Sequence, residues 1–261
     1  LNMLLNVFFG PVVNAARAVA VQVQNAILQF IGNFQMAINP QITKTYANGE
    51  MEDMHKLMFR SARFTFYLLF VVSLPVLFET NFILTVWLKT VPENTVIFLR
   101  IMICVSLLYP LSNPLIIANQ ATGQVRNFQF VSGLILLFIL PVSYICLSFG
   151  LPAYSVFVVH FIMEFTTLFY RLRLLRSSIN IRFIDYFKNV FFRVVLVVAI
   201  SIIIPIAIYN YMGNTIIRFF LICIICILSV GLSAYTVGLS HNERLFIKSK
   251  AIYIFNKIKS R

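Results

Sequence analysis

The chain has 261 residues, 60% of them hydrophobic and only 11% Asp, Glu, Lys or Arg. Soluble domains carry about 25% charged residues, so a water-soluble globule is excluded and the bilayer is the natural solvent. The net charge of +13 would ordinarily raise nucleic-acid binding, but its distribution along the chain makes it a topological signal, and no nucleic-acid partner is expected.

The chain opens at Leu1 inside an apolar stretch, without Met and without the basic head of a signal peptide. Residues 1–9 read as the tail of a cut span, and the chain as the C-terminal part of a longer protein. A membrane helix needs about 20 mostly apolar residues. Seven complete candidates cover 12–39, 61–82, 96–119, 128–149, 152–171, 190–209 and 216–238. The runs are long and lack strand alternation, and lipid cannot hydrogen-bond free backbone, so each reads as a helix. The expected fold is all-α, a polytopic transmembrane bundle.

The first complete span is the least apolar. It carries Asn14, Arg17, Gln22, Gln24, Asn25, Gln29, Asn33, Gln35 and Asn39. At about 100° per residue, Gln22, Asn25, Gln29 and Asn33 form one stripe, while Arg17, Gln24 and Gln35 form a second. More than half of this helix must avoid lipid and face protein or a wet cavity. The plainer alternative is interhelical hydrogen bonding as packing glue. Arg17, in the outer third, either holds a phosphate or pyrophosphate by bidentate bonds or snorkels to the interface. The next segment bears Glu50, Glu52 and Asp53, read as solvated.

In the third span, Pro110 and Pro114 remove backbone donors four residues apart, predicting a kink or break. Such a break is either a transport hinge or a packing device. In the fifth span, His160, Glu164, Thr167 and Arg171 share one face. An ionised acid mid-membrane costs about 3 kcal/mol, so Glu164 with His160 is either a proton- or cation-coupling site or a structural hydrogen bond. Residues 173–189 read as a cytoplasmic segment, either a short interfacial helix or a solvated linker. The sixth and seventh spans, within 190–238, are almost wholly aliphatic, with Pro205 a kink candidate and Ala234 and Gly238 suited to close helix contact. They read as an auxiliary lipid-facing pair, followed by a basic tail, 239–261. Cys104, Cys146, Cys223 and Cys226 all fall in apolar runs and read as small packing residues.

Segments 40–63, 120–127, 171–193 and 239–261 alternate onto one side and hold 17 of the 21 basic residues. The other side and its flanks hold Arg17, Lys89, Arg100 and Arg218. The positive-inside rule makes the first side cytoplasmic, and the C-terminus with it. Trp87, Tyr154, Tyr209 and Tyr211 fall near the outer interface, as aromatic belts do. No Gly-rich phosphate loop, HExxH or GxSxG is present, so no enzyme is expected, and no cofactor beyond a coupling H+ or Na+.

The stretch from Asn6 to Arg17, Asn-Val-Phe-Phe-Gly-Pro-Val-Val-Asn-Ala-Ala-Arg, resembles the start of the second lobe of Wzx-type O-antigen flippases. Residues 33–44 and the loop Tyr46-Ala47-Asn48-Gly49-Glu50 continue that resemblance. A weaker likeness to MATE multidrug exporters rests on Pro40, Tyr46 and Gly49, a P-x-x-x-x-x-Y-x-x-G spacing. The resemblance is specific over residues 1–60. It implies a two-lobe fold around an alternating-access cavity, with 1–172 as the second lobe and 190–238 as an extra helix pair. It implies an undecaprenyl-pyrophosphate-linked oligosaccharide as substrate, bound by Arg17, Gln22, Asn25, Gln29 and Asn33, in a bacterial inner membrane. Partners would be membrane lipids, the N-terminal lobe, and polysaccharide polymerase or assembly proteins. The alternative is a cation-coupled efflux transporter for small molecules.

Overall fold

The computed structural model describes residues 1–240, 243–245 and 248–249. The rest of the basic tail expected from the sequence lies outside the described residues. The described residues are helical, with no strand among them. In chain order they form α1 (Asn2–Phe9), α2 (Pro11–Ala47), α3 (Met51–Phe78), α4 (Thr80–Leu88), α5 (Thr95–Ser106) and α6 (Tyr109–Thr122). There follow α7 (Val125–Leu137), α8 (Ile139–Ser148), α9 (Ser155–Ile179), α10 (Phe183–Tyr186), α11 (Phe192–Tyr211) and α12 (Ile216–Ser233).

Several of these join into longer rods. Among the described residues, six rods are long and apolar enough to cross a membrane: Met51–Phe78, Thr95–Thr122, Val125–Ser148, Ser155–Ile179, Phe183–Tyr211 and Ile216–Gly238. These match six of the seven expected spans and are what a multi-pass membrane protein requires. The remaining expected span, the first (12–39), lies in the continuous helix α2, 37 residues long. It has the length but not the apolarity, because its amides dilute the run.

Local sequence accounts for the breaks. Gly10 takes φ +79°, which a side chain would resist, and Pro11 then occupies the first turn of α2, where its missing N–H costs nothing. The rod Thr95–Thr122 is interrupted at Leu107–Leu108. Pro110 has no N–H to offer the Ser106 carbonyl, and the chain tightens into Leu108 N–H to Val105 O and Leu111 N–H to Leu108 O. The expected break in the third span is therefore present, with Pro110 and Pro114 both buried in α6. Pro141, three residues into α8, accompanies a similar interruption at Phe138.

Two apolar clusters fill the bundle. One gathers α3, α6, α9 and α11–α12 around Phe66, Phe70, Leu115, Leu172, Tyr186 and Cys226. The other joins α2, α5 and the start of α9 through Ala16, Ala20, Ile31, Leu99 and Phe157. All four cysteines are free thiols, and Cys226 is fully buried among aliphatic neighbours, as a packing residue should be.

The segment 173–189 is largely helical. Residues 173–179 are the last turns of α9, Asn180 closes that helix in a left-handed conformation, and a new helix starts at Phe183. A π-helical stretch, Phe187–Phe191, fuses α10 to α11. Tyr186 is buried in the core and its hydroxyl donates to the Leu111 carbonyl at 2.7 Å. That aromatic anchor makes the segment part of the packed bundle rather than a linker.

The pair α11–α12 also packs against α3. Serines hold the two helices together: Ser201 Oγ and Ser233 Oγ are 2.6 Å apart, and Ser229 Oγ donates to the Ser201 carbonyl at 2.9 Å. Gly238 lies against the Tyr67 ring of α3, where an added Cβ would fall 2.7 Å from Oη. Its small size thus serves contact with α3.

Candidate functional site

The polar residues of α2 divide between two opposite faces. Ala16, Ala20, Ile27, Ile31 and Gln35 are buried against the bundle. Gln22, Asn25, Gln29 and Asn33 are exposed on the far side. The second stripe turns inward. Gln24 Nε2 donates to Ser106 Oγ at 2.7 Å and to the Met102 carbonyl at 3.2 Å. Gln35 is buried, with its Nε2 unpartnered among the described residues. Arg17 donates through Nη1 to Asn2 Oδ1, while its Nε is buried without a partner.

Between α2, the broken rod α5–α6, and α9 lies a cleft of about 270 Å³. Its walls are Gln24, Leu28, Val105, Ser106, Tyr109, Ser112, Ile116, His160, Glu164 and Arg171. The helical repeat of α9 places His160, Glu164 and Arg171 along one wall. His160 Nε2 stands 3.9 Å from Glu164 Oε1. Arg171 is buried, its Nε lacks a hydrogen-bond partner among the described residues, and its charge acts on Glu164. Arg17 is close enough to His160 for their charges to interact. Ser112 Oγ, one turn into α6, is also buried and unpartnered.

This arrangement has specific chemical uses. Glu164 is partly exposed to the cleft between an imidazole and a guanidinium. A carboxylate in that setting can hold a proton or a monovalent cation, and the unused donors of Arg171 and Ser112 can orient water or an anion beside it. Among the described residues no group of three or more His, Cys, Asp or Glu side chains is placed to hold a metal ion.

The structure thus brings His160 and Glu164 together with the proline-broken rod, and sets Gln22, Asn25, Gln29 and Asn33 apart on another face. Reading the sequence missed three buried polar links. Arg218 pairs with Glu79, Arg63 with Glu243, and Tyr186 with the Leu111 carbonyl. The first had a signal: a single acid ending one apolar run and a single arginine opening another, on the same expected side. No family model, curated protein or solved structure matches this chain.

Proposed function

We propose that this chain acts in a transporter that moves an undecaprenyl-pyrophosphate-linked oligosaccharide across a bacterial inner membrane by alternating access. The observation that carries this reading is the open amide face of α2. Gln22, Asn25, Gln29 and Asn33 project from a 37-residue helix whose opposite face packs into the bundle. Four amides facing acyl chains would each forfeit hydrogen bonds worth several kcal/mol. A face of that kind suits a wet cavity closed by a second lobe, with amides matching sugar hydroxyls in both donor and acceptor roles. Arg17, near the start of the same helix, supplies a fixed positive charge for a pyrophosphate. In this reading α2 also crosses the membrane, as the first complete span, and the C-terminus is cytoplasmic. The sequence likeness to Wzx-type flippases over residues 1–60 points the same way.

The test is complementation of a deletion strain by the full-length protein. Loss of surface polysaccharide with build-up of lipid-linked units in the deletion strain is the expected phenotype. Gln29→Leu combined with Asn33→Leu should fail to restore it at normal protein level, and Arg17→Lys should restore less than wild type. Full complementation by both variants would remove α2 from the substrate path.

A second reading is favoured by the cleft. Glu164 beside a broken helix is an arrangement that a cation-coupled exporter of small molecules would use. Altered drug susceptibility with intact polysaccharide would select this reading over the first.

A further inference from the structure

A second cleft, of about 450 Å³, opens where the N-terminal half of α3 meets the π-helical stretch before α11 and the segment following Gly238. Lys56, Arg60, Arg63 and Arg193 line it, and Glu243 is the one carboxylate among its described lining residues. The excess is three positive charges. Lys56 shares part of its charge with Asp53 at 3.0 Å, on the exposed side.

Two features distinguish this cleft from a merely basic surface. Arg63 is only 4% exposed and its Nε has no hydrogen-bond partner among the described residues, although Nη1 donates to the Asn189 carbonyl at 2.6 Å and Nη2 to Glu243 Oε1 at 2.6 Å. A buried guanidinium with an unused donor is costly to leave so. Asn189 belongs to the π-helical stretch, and π-helical turns often mark functional sites because they free backbone groups for other partners. The positive wall persists at neutral pH. Burial opposes ionisation of Glu243, but the Ser240 backbone N–H and the charge of Arg63 outweigh it and hold this carboxyl below its ordinary range. Glu243 is thus engaged by Arg63 and Ser240, and Arg60 and Arg193 add two further guanidinium groups to the cleft lining.

The geometry points to a binding site for a phosphate group at this cleft, that of an anionic phospholipid whose acyl chains lie along the apolar flank of α3 and α11. The cleft sits at the end of the bundle where the basic loops gather, and basic pockets between membrane helices on that side suit anionic headgroups. Phe59 adds an apolar edge to the rim. The site is separate from the amide face and from the Glu164 cleft, so it stands whichever transport reading holds.

The experiment uses the purified full-length protein in detergent, with three probes: phosphatidylglycerol, phosphatidylcholine, and inorganic phosphate without lipid. Native mass spectrometry reads bound lipid, and thermal unfolding reads stabilisation. Phosphatidylglycerol should be retained and should raise the unfolding temperature, whereas phosphatidylcholine should do neither. The double variant Arg60→Gln/Arg193→Gln leaves the Arg63–Glu243 pair intact and should bind phosphatidylglycerol at least roughly tenfold more weakly, as loss of charge-assisted contacts implies. Stabilisation of wild type but not the variant by inorganic phosphate alone would keep the site and assign it a soluble ligand. Equal retention of both lipids, or unchanged phosphatidylglycerol binding by the double variant, overturns the proposal.

Discussion

Arg218 and Glu79, 139 residues apart in sequence, form a two-pronged ion pair, Nε to Oε1 at 2.8 Å and Nη2 to Oε2 at 2.9 Å. Both are buried, at 5% and 1% exposure. Arg218 also donates to the Met212 carbonyl and lies 4.6 Å from the centre of the Tyr209 ring. Sixteen residues earlier on the same run, about 24 Å at the helical rise, Arg63 pairs with Glu243. The α11–α12 unit is therefore clipped to α3 near both ends, over a length comparable with the hydrocarbon thickness of about 30 Å. Reading 190–238 as an auxiliary pair describes its aliphatic outer surface but not this attachment.

Breaking one half of the upper clip should be expensive. Glu79→Gln leaves a buried guanidinium uncompensated, a loss of about 3–5 kcal/mol. Removing both charges, as Glu79→Leu/Arg218→Leu, should recover most of it, since two desolvated ions are replaced by apolar groups. Thermal unfolding of the purified protein checks this. Wild-type stability in Glu79→Gln would show the pair contributes nothing.

The lower clip should respond to acid. The Glu243 carboxyl is held below its ordinary range in the folded protein. A depressed carboxylate contributes stability that is present above its unfolded value and is lost as pH falls through the folded one. Acidification below the ordinary glutamate range should thus loosen Glu243, and Ser240 with it, from Arg63 of α3. Amide hydrogen exchange of Leu239 and Ser240 should accelerate there in wild type. Glu243→Gln should exchange fast at every pH. A pH-independent wild-type rate would contradict the assignment.

The serine contacts between α11 and α12 predict a smaller effect. Ser201→Ala and Ser233→Ala should each cost about 0.6 kcal/mol, and no more than about 2. Because the two hydroxyls are 2.6 Å apart, their effects should be non-additive in a double-mutant cycle. Strict additivity of the two losses would show that the hydroxyls do not interact.

The Glu164 cleft makes a functional prediction. If the proposed transport holds and Glu164 carries the coupling proton or cation, Glu164→Gln flattens the pH dependence of that transport, and His160→Gln shifts it, while the folded protein persists. An unchanged profile in Glu164→Gln assigns the carboxylate to packing alone.

Much of the architecture was legible because lipid permits few solutions. Apolar runs such as 61–82 and 128–149 had to be helices, and prolines at 110 and 114 had to interrupt one. The helical repeat sufficed to put His160, Glu164 and Arg171 on one wall and to separate the two amide stripes of α2. It gave no means of deciding which stripe turned inward. That depended on small residues at Ala16 and Ala20 packing into the apolar cluster beside α5, a choice made by partners distant in sequence.

Sequence by itself determined that this protein is helical, greasy and broken at stated places, because hydropathy and proline chemistry act within a few residues. Tertiary structure alone decided that Arg218 meets Glu79, that Tyr186 caps the Leu111 carbonyl, and that Arg63, Arg60 and Arg193 share one cleft. Pairings of that kind come from helices packing across more than a hundred residues of chain, and no local pattern encodes the partner of a buried charge.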